Sequence, residues 1–249
     1  VFAILSFLFS VLGGIAGLAF LYALGFKRFR GGDLLLGLVV FFSALVIQSL
    51  IQPLLLIQIA ISAGITLEKV AEYVRAQGML LIIPVSLWYG FVASTVQSTL
   101  KYVFVKGKSY VVSANVGAGF GLTEAFFVGV SALIAQLITA LGRLSTLITL
   151  EVPIYYSALI SLERLSALLF HFGSTLYIFD SAKAGKLLQG LLAIIALHAL
   201  IDFLAAFTQF TENPIALAVT ELTALLVGLA LTFKFYKKAV EEQEEKILY

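Results

Sequence analysis

LLLGLVVFFSALVIQSLIQPLLLIQIAI, residues 34–61, carries no charged side chain over 28 positions. A helix needs roughly 20 apolar residues to cross a hydrocarbon core about 30 Å thick. Inside lipid, only helices and closed barrels satisfy every backbone N–H and C=O. A run of this length is therefore read as a membrane-spanning helix. The rest of the chain agrees, with 61% of its 249 residues hydrophobic and only 12% charged. A soluble domain carries about 25% charged residues, so the deficit excludes an ordinary soluble enzyme.

Outward from this stretch, further apolar runs occupy about 2–26, 79–100, 109–141, 162–180, 187–208 and 214–235. The expected fold class is all-α: a polytopic membrane helix bundle of about seven transmembrane helices. It is expected to form a single transmembrane domain over 1–249, with a motif-bearing core at about 110–210 and a tail at 241–249. The first run lacks a basic n-region and is too long for a signal-peptide core, so it is expected to be a retained helix.

Lys27, Arg28 and Arg30 follow the first run, and Lys101, Lys106 and Lys108 the third. Lys183 and Lys186 follow the fifth, and Lys234, Lys237 and Lys238 the last, while the intervening loops are neutral or acidic. Basic loops stay on the cytoplasmic side, which predicts an outside N-terminus and a cytoplasmic C-terminus. Thr66–Gly78 (TLEKVAEYVRAQG) has helical apolar spacing with charges opposite, as an interfacial helix does. Leu144–Ser161, interrupted by Glu151 and Pro153, is expected to be interfacial or re-entrant, and Glu241–Lys246 a solvated helical end.

The net charge of +2 is small and scattered, so no nucleic-acid partner is expected. With no Cys in the chain, disulfides, thiolate metal sites and cysteine nucleophiles are excluded. The expected partners are membrane lipid and a membrane-embedded peptide or protein substrate. Oligomeric state is not written in the sequence.

Ionisable side chains inside the hydrocarbon cost at least about 2.5–3.5 kcal/mol each, and by default they mark function. Glu124, His171, His198, Asp202 and Glu221 all fall within predicted spans, and both histidines of the chain are among them. At a rise of about 1.5 Å per residue, Glu124, His171 and His198 come out near the midplane and could converge. Asp202 follows His198 by one helical turn, on the same face. Glu221 is shallower.

Two imidazoles and a carboxylate make the usual three-ligand shell of a catalytic zinc (Zn2+) site. His171, His198 and Asp202 would hold the metal, with Glu124 as the base that activates water. The same residues allow a metal-free version, in which Glu124 is again the base and the histidines stabilise the oxyanion. The residues alone leave both open. Glu163, Arg164 and Ser174 flank His171 as possible supports, and Glu221 is a fourth. VGAGFG, Val116–Gly121, is read as close helix packing, or as thinning that leaves a cavity beside Glu124.

Three motifs in order, GAGFGLTEAFFVG (Gly117–Gly129), ERLSALLFHFGS (Glu163–Ser174) and HALIDF (His198–Phe203), resemble the YhfC family of membrane peptidases. That family sits in a larger group with the PrsW peptidases, the CAAX-processing and bacteriocin-processing proteases, and the anterior-pharynx-defective scaffold subunit of gamma-secretase. The resemblance implies an intramembrane peptidase with Glu124 as water-activating base and His171, His198 and Asp202 as its partners. The plasma membrane of a prokaryote is the expected location. The alternatives are a non-catalytic scaffold like the gamma-secretase subunit, or a proton- or cation-coupled transporter using Glu124, His198, Asp202 and Glu221.

Overall fold

The computed structural model describes residues 2–142 and 154–245, and it is helical nearly throughout. The helices are α1 (Phe2–Ala23), α2 (Gly31–Ile51), α3 (Pro53–Ala63), α4 (Val70–Ala76) and α5 (Met79–Val105), then α6 (Tyr110–Gly142), α7 (Ile154–Lys183), α8 (Leu187–Thr211) and α9 (Pro214–Glu245). Six spans among the described residues are long and apolar enough to cross a membrane, α2 and α3 counting as one. The seventh expected span is α7, which has the length but not the hydropathy, because Glu163, Arg164 and His171 dilute it. Exposed Leu35, Leu50, Ile61, Leu80, Leu188 and Ile215 give the helices an apolar surface suited to lipid. The chain is an integral membrane protein.

Several boundaries differ from the expectation for physical reasons. The run 34–61 breaks at Gln52, because Pro53 has no N–H to donate and its ring opposes the preceding turn. α5 runs on to Val105, so Lys101 is fully buried within a helix rather than solvated in a flank. α7 starts at Ile154, so 154–161 is a helical extension of the fifth span, not a separate interfacial segment. The rest of that segment, 144–153, lies outside the described residues. The tail is helical as far as Glu245, yet Gln243 within it is buried.

The chain forms two compact units. The first comprises the residues up to Leu38, Lys108–Leu176, and those from Ala224 onward. Its helices are held together by glycines. A Cβ at Gly117 would lie 2.5 Å from the His171 carbonyl oxygen, and one at Gly121 would lie 2.6 Å from the Leu168 Cα. Gly119 faces Leu34 of α2, and Gly13 of α1 faces Ser161 and Arg164. Neighbouring backbone thus fills the space over the VGAGFG run, so these glycines serve close packing rather than opening a cavity. At one end of this unit, Lys27 and Arg28 donate their backbone N–H groups to Gln243 Oε1 at 3.0 and 2.7 Å. There too, Tyr110 N–H donates to Glu242 Oε2 at 2.8 Å.

The second unit comprises Val39–Gly107 and Tyr177–Thr223. Gln48 and Gln52 donate to carbonyls of Ala93 and Tyr89, and Trp88 Nε1 donates to the Gln52 carbonyl at 3.0 Å. Val70 and Val74 of α4 are buried against Ala60, Ile82 and Val85 while the charged face stays out, as the spacing of Thr66–Gly78 predicts. Arg75 pairs with Glu212 at 3.6 Å, an exposed contact between α4 and the α8–α9 turn. Asn213 then caps α9, its Oδ1 accepting from Ile215 N at 2.8 Å with Pro214 opening the helix.

Candidate functional site

Glu124 and His171 occupy the middle turns of α6 and α7, where Gly117 and Gly121 let the two backbones approach. The Nε2 of His171 lies 2.6 Å from Oε2 of Glu124. An ionised carboxylate only accepts hydrogen bonds, so with Glu124 ionised beside Arg164 the contact is an Nε2–H donating to Oε2. The imidazole is fixed by aromatic neighbours, with Phe120 at 4.4 Å between centroids and Phe170 edge-on at 5.5 Å. Ser174 and Thr175 both donate to the His171 carbonyl, at 3.3 and 2.7 Å. The histidine is thus held at both its ring and its backbone.

The second oxygen of Glu124 belongs to Arg164, whose Nη1 donates to Oε1 at 3.0 Å. The other terminal nitrogen of Arg164 is bonded to Glu163, the neighbouring residue on α7. Burial makes this arrangement informative, since the Arg164 side chain is 7% exposed and that of Glu124 23%. An isolated charge at such a position is costly, and a bonded guanidinium and carboxylate compensate each other. Arg164 and His171 are seven residues apart, two turns of one helix, which is why both reach the same carboxylate.

His198 and Asp202 lie in the second unit, one turn apart on α8, with Nε2 and Oδ2 separated by 3.4 Å. His198 is buried, and the helix carrying it packs against α5 through Gly90, where a Cβ would lie 2.5 Å from the Ala199 carbonyl oxygen. Glu221, also buried and in the second unit, follows Thr220, whose hydroxyl lies 3.2 Å from that of Thr208. The first unit therefore gathers Glu124, Glu163, Arg164, His171 and Ser174, while the second holds His198, Asp202 and Glu221.

Sequence reasoning missed Phe120, Phe170, Thr175 and Gly13. Phe170 and Thr175 flank His171 in its own motif. Phe120 and Gly13 act from other helices, and no local pattern signals that.

Three protein ligands make up a catalytic zinc shell. No group of three or more His, Asp or Glu among the described residues is arranged to hold a metal ion. In each unit one imidazole meets a carboxylate, His171 with Glu124 and His198 with Asp202, and in the first a guanidinium also bonds that carboxylate. The expected shell draws on both units, His171 on the first and His198 and Asp202 on the second.

A family model described as YhfC intramembrane metalloprotease matches residues 15–227, which spans all three motifs. No curated protein and no solved structure gives a significant match.

Proposed function

The chain belongs to the YhfC intramembrane metalloprotease family, and from that premise we propose that it is an intramembrane peptidase in which Glu124 activates the attacking water. The observation that carries this reading is the 2.6 Å bond between Glu124 and His171 at mid-helix depth. A carboxylate oxygen carries two lone pairs, so one bond to Arg164 and one to His171 do not by themselves exhaust the capacity of Glu124 to accept a proton. The family description implies a metal, but the described residues hold no group of three or more His, Asp or Glu that could take one, so no step runs through it.

In the proposed reaction, the water oxygen bonds to the scissile carbonyl carbon as its proton passes to Glu124. The C–N bond then breaks, and that proton is delivered to the leaving nitrogen. His171, donating from Nε2, keeps Glu124 oriented while the carboxyl group holds the proton. His198 and Asp202 are proposed to be required as a second imidazole–carboxylate pair, on the strength of their motif. The chain is proposed to act as one transmembrane domain on a membrane-embedded peptide.

The test is cleavage of a fluorogenic library of transmembrane peptides by purified protein in liposomes. General-base catalysis contributes about 10²–10⁴-fold, so Glu124→Gln is expected to lower the rate by at least about a hundredfold without loss of fold. A Glu124→Gln variant that cleaves at the parent rate would overturn the assignment. Inert parent protein, with His171→Ala disturbing assembly with a partner and Glu124→Gln silent, would favour the scaffold reading.

A further inference from the structure

We propose that the guanidinium of Arg164 is the resident cation of the Glu124–His171 site, supplying the positive charge that a metal ion would otherwise supply there. The inference rests on reading Glu124 and His171 as the working pair. It goes further by assigning the site's counter-charge to the chain itself.

Three observations carry it. First, Arg164 donates to Glu124 at 3.0 Å from a buried side chain while also bonding Glu163. One cation thus faces two carboxylates, and a dication bound at Glu124 would stand within a few ångströms of a fixed positive charge. That repulsion is strong where water does not screen it. Second, Nε2 of His171 points at Glu124 over 2.6 Å. A metal ligand must offer a bare lone pair, so coordination through that nitrogen would have to break this bond. Third, Arg164 is hemmed in at its base. A Cβ at Gly13 of α1 would lie 2.9 Å from the Arg164 Cβ, and Ser161, one turn before it, donates to the Phe9 carbonyl of α1 at 2.6 Å. The guanidinium is built in rather than borrowed from a mobile surface residue.

Removing the cation should expose what it compensates. Without it, Glu124 and Glu163 lose the cation they share, and Glu124 with His171 leaves a carboxylate and an imidazole, donor types that divalent zinc takes.

The experiment measures zinc per chain by mass spectrometry, and zinc affinity by titration, on full-length protein in detergent prepared without chelator. Parent and Glu124→Gln are expected to carry the same metal content. Arg164→Gln is expected to bind zinc at least about tenfold more tightly than the parent, because a partly buried carboxylate loses its counter-charge. That gain should vanish in Arg164→Gln/Glu124→Gln. Arg164→Lys keeps a cation and should behave as the parent does.

Metal in the parent that Glu124→Gln removes would overturn the proposal, as would an Arg164→Gln affinity equal to the parent's. The comparison of parent with Glu124→Gln stands even if Arg164→Gln fails to fold. Cleavage plays no part in these readouts, so failure of the peptidase reading and failure of this inference are seen separately.

Discussion

The Glu124 carboxylate makes two unlike bonds, one to a permanent cation and one to an imidazole that can gain or lose a proton. Their energetic weight differs accordingly. Breaking a buried ion pair by removing one partner costs about 3–5 kcal/mol, because the other is left charged in a medium that solvates it poorly. Arg164→Ala should therefore destabilise the protein by about that amount in reversible unfolding from mixed micelles. Adding Glu124→Gln should recover a large part of the loss, since the stranded charge goes with it. The two changes are then non-additive, with a coupling of about 1–3 kcal/mol. Additive losses would mean that the pair is not formed in the membrane. The identities of these residues were legible in the sequence, because charged side chains stand out in apolar spans. Their partners were not. The heptad spacing of Arg164 and His171 places both on one face of α7, but it does not say that Glu124 is what they meet.

At the scale of helices, the glycines of α6 decide what packs where. Gly117 and Gly121 face α7 at His171 and Leu168, whereas Gly119 between them faces α2 at Leu34. One stretch of backbone thus serves two neighbours on different sides. Enlarging a filled position forces backbone shifts that cost about 1–3 kcal/mol or more. Gly117→Leu is expected to lower the thermal midpoint and to separate Glu124 from His171. Leu at Gly31, where no neighbouring atom lies within 4 Å of an added Cβ, should cost far less. Equal effects at both positions would remove the packing role. The sequence offered close packing as one reading of VGAGFG; which neighbour each glycine meets depends on the register of α2 and α7, which composition does not encode. The break at Gln52 also went unread, since the apolar run 34–61 reads alike on both sides of Pro53. The buried Lys101 escaped notice for the opposite reason, as a lysine just past an apolar run looks like a flank.

For the whole molecule, the distribution of loop charges and the hydrogen bonds of each unit make the same division. Within the first unit, the α1–α2 loop, the start of α6 and the end of α9 share one end through Gln243 and Glu242. These are the connections richest in Lys and Arg. Within the second unit, the α4 helix and the α8–α9 turn share an end through Arg75 and Glu212, and these loops are neutral or acidic. An odd number of crossings is what puts the two termini on opposite faces, which makes α7 decisive: six spans pass on hydropathy, and its polar residues hide the seventh. Because the chain contains no Cys, single-cysteine variants report this directly. Glu68→Cys and Asn213→Cys should react with a membrane-impermeant maleimide added outside intact cells, whereas Lys106→Cys and Lys186→Cys should react only after the membrane is opened. The reverse labelling would invert the orientation while keeping the alternation. Labelling of Asn213→Cys and Lys186→Cys from the same side would mean that α8 does not cross, and the proposed membrane depth of His198 and Asp202 would fall with it.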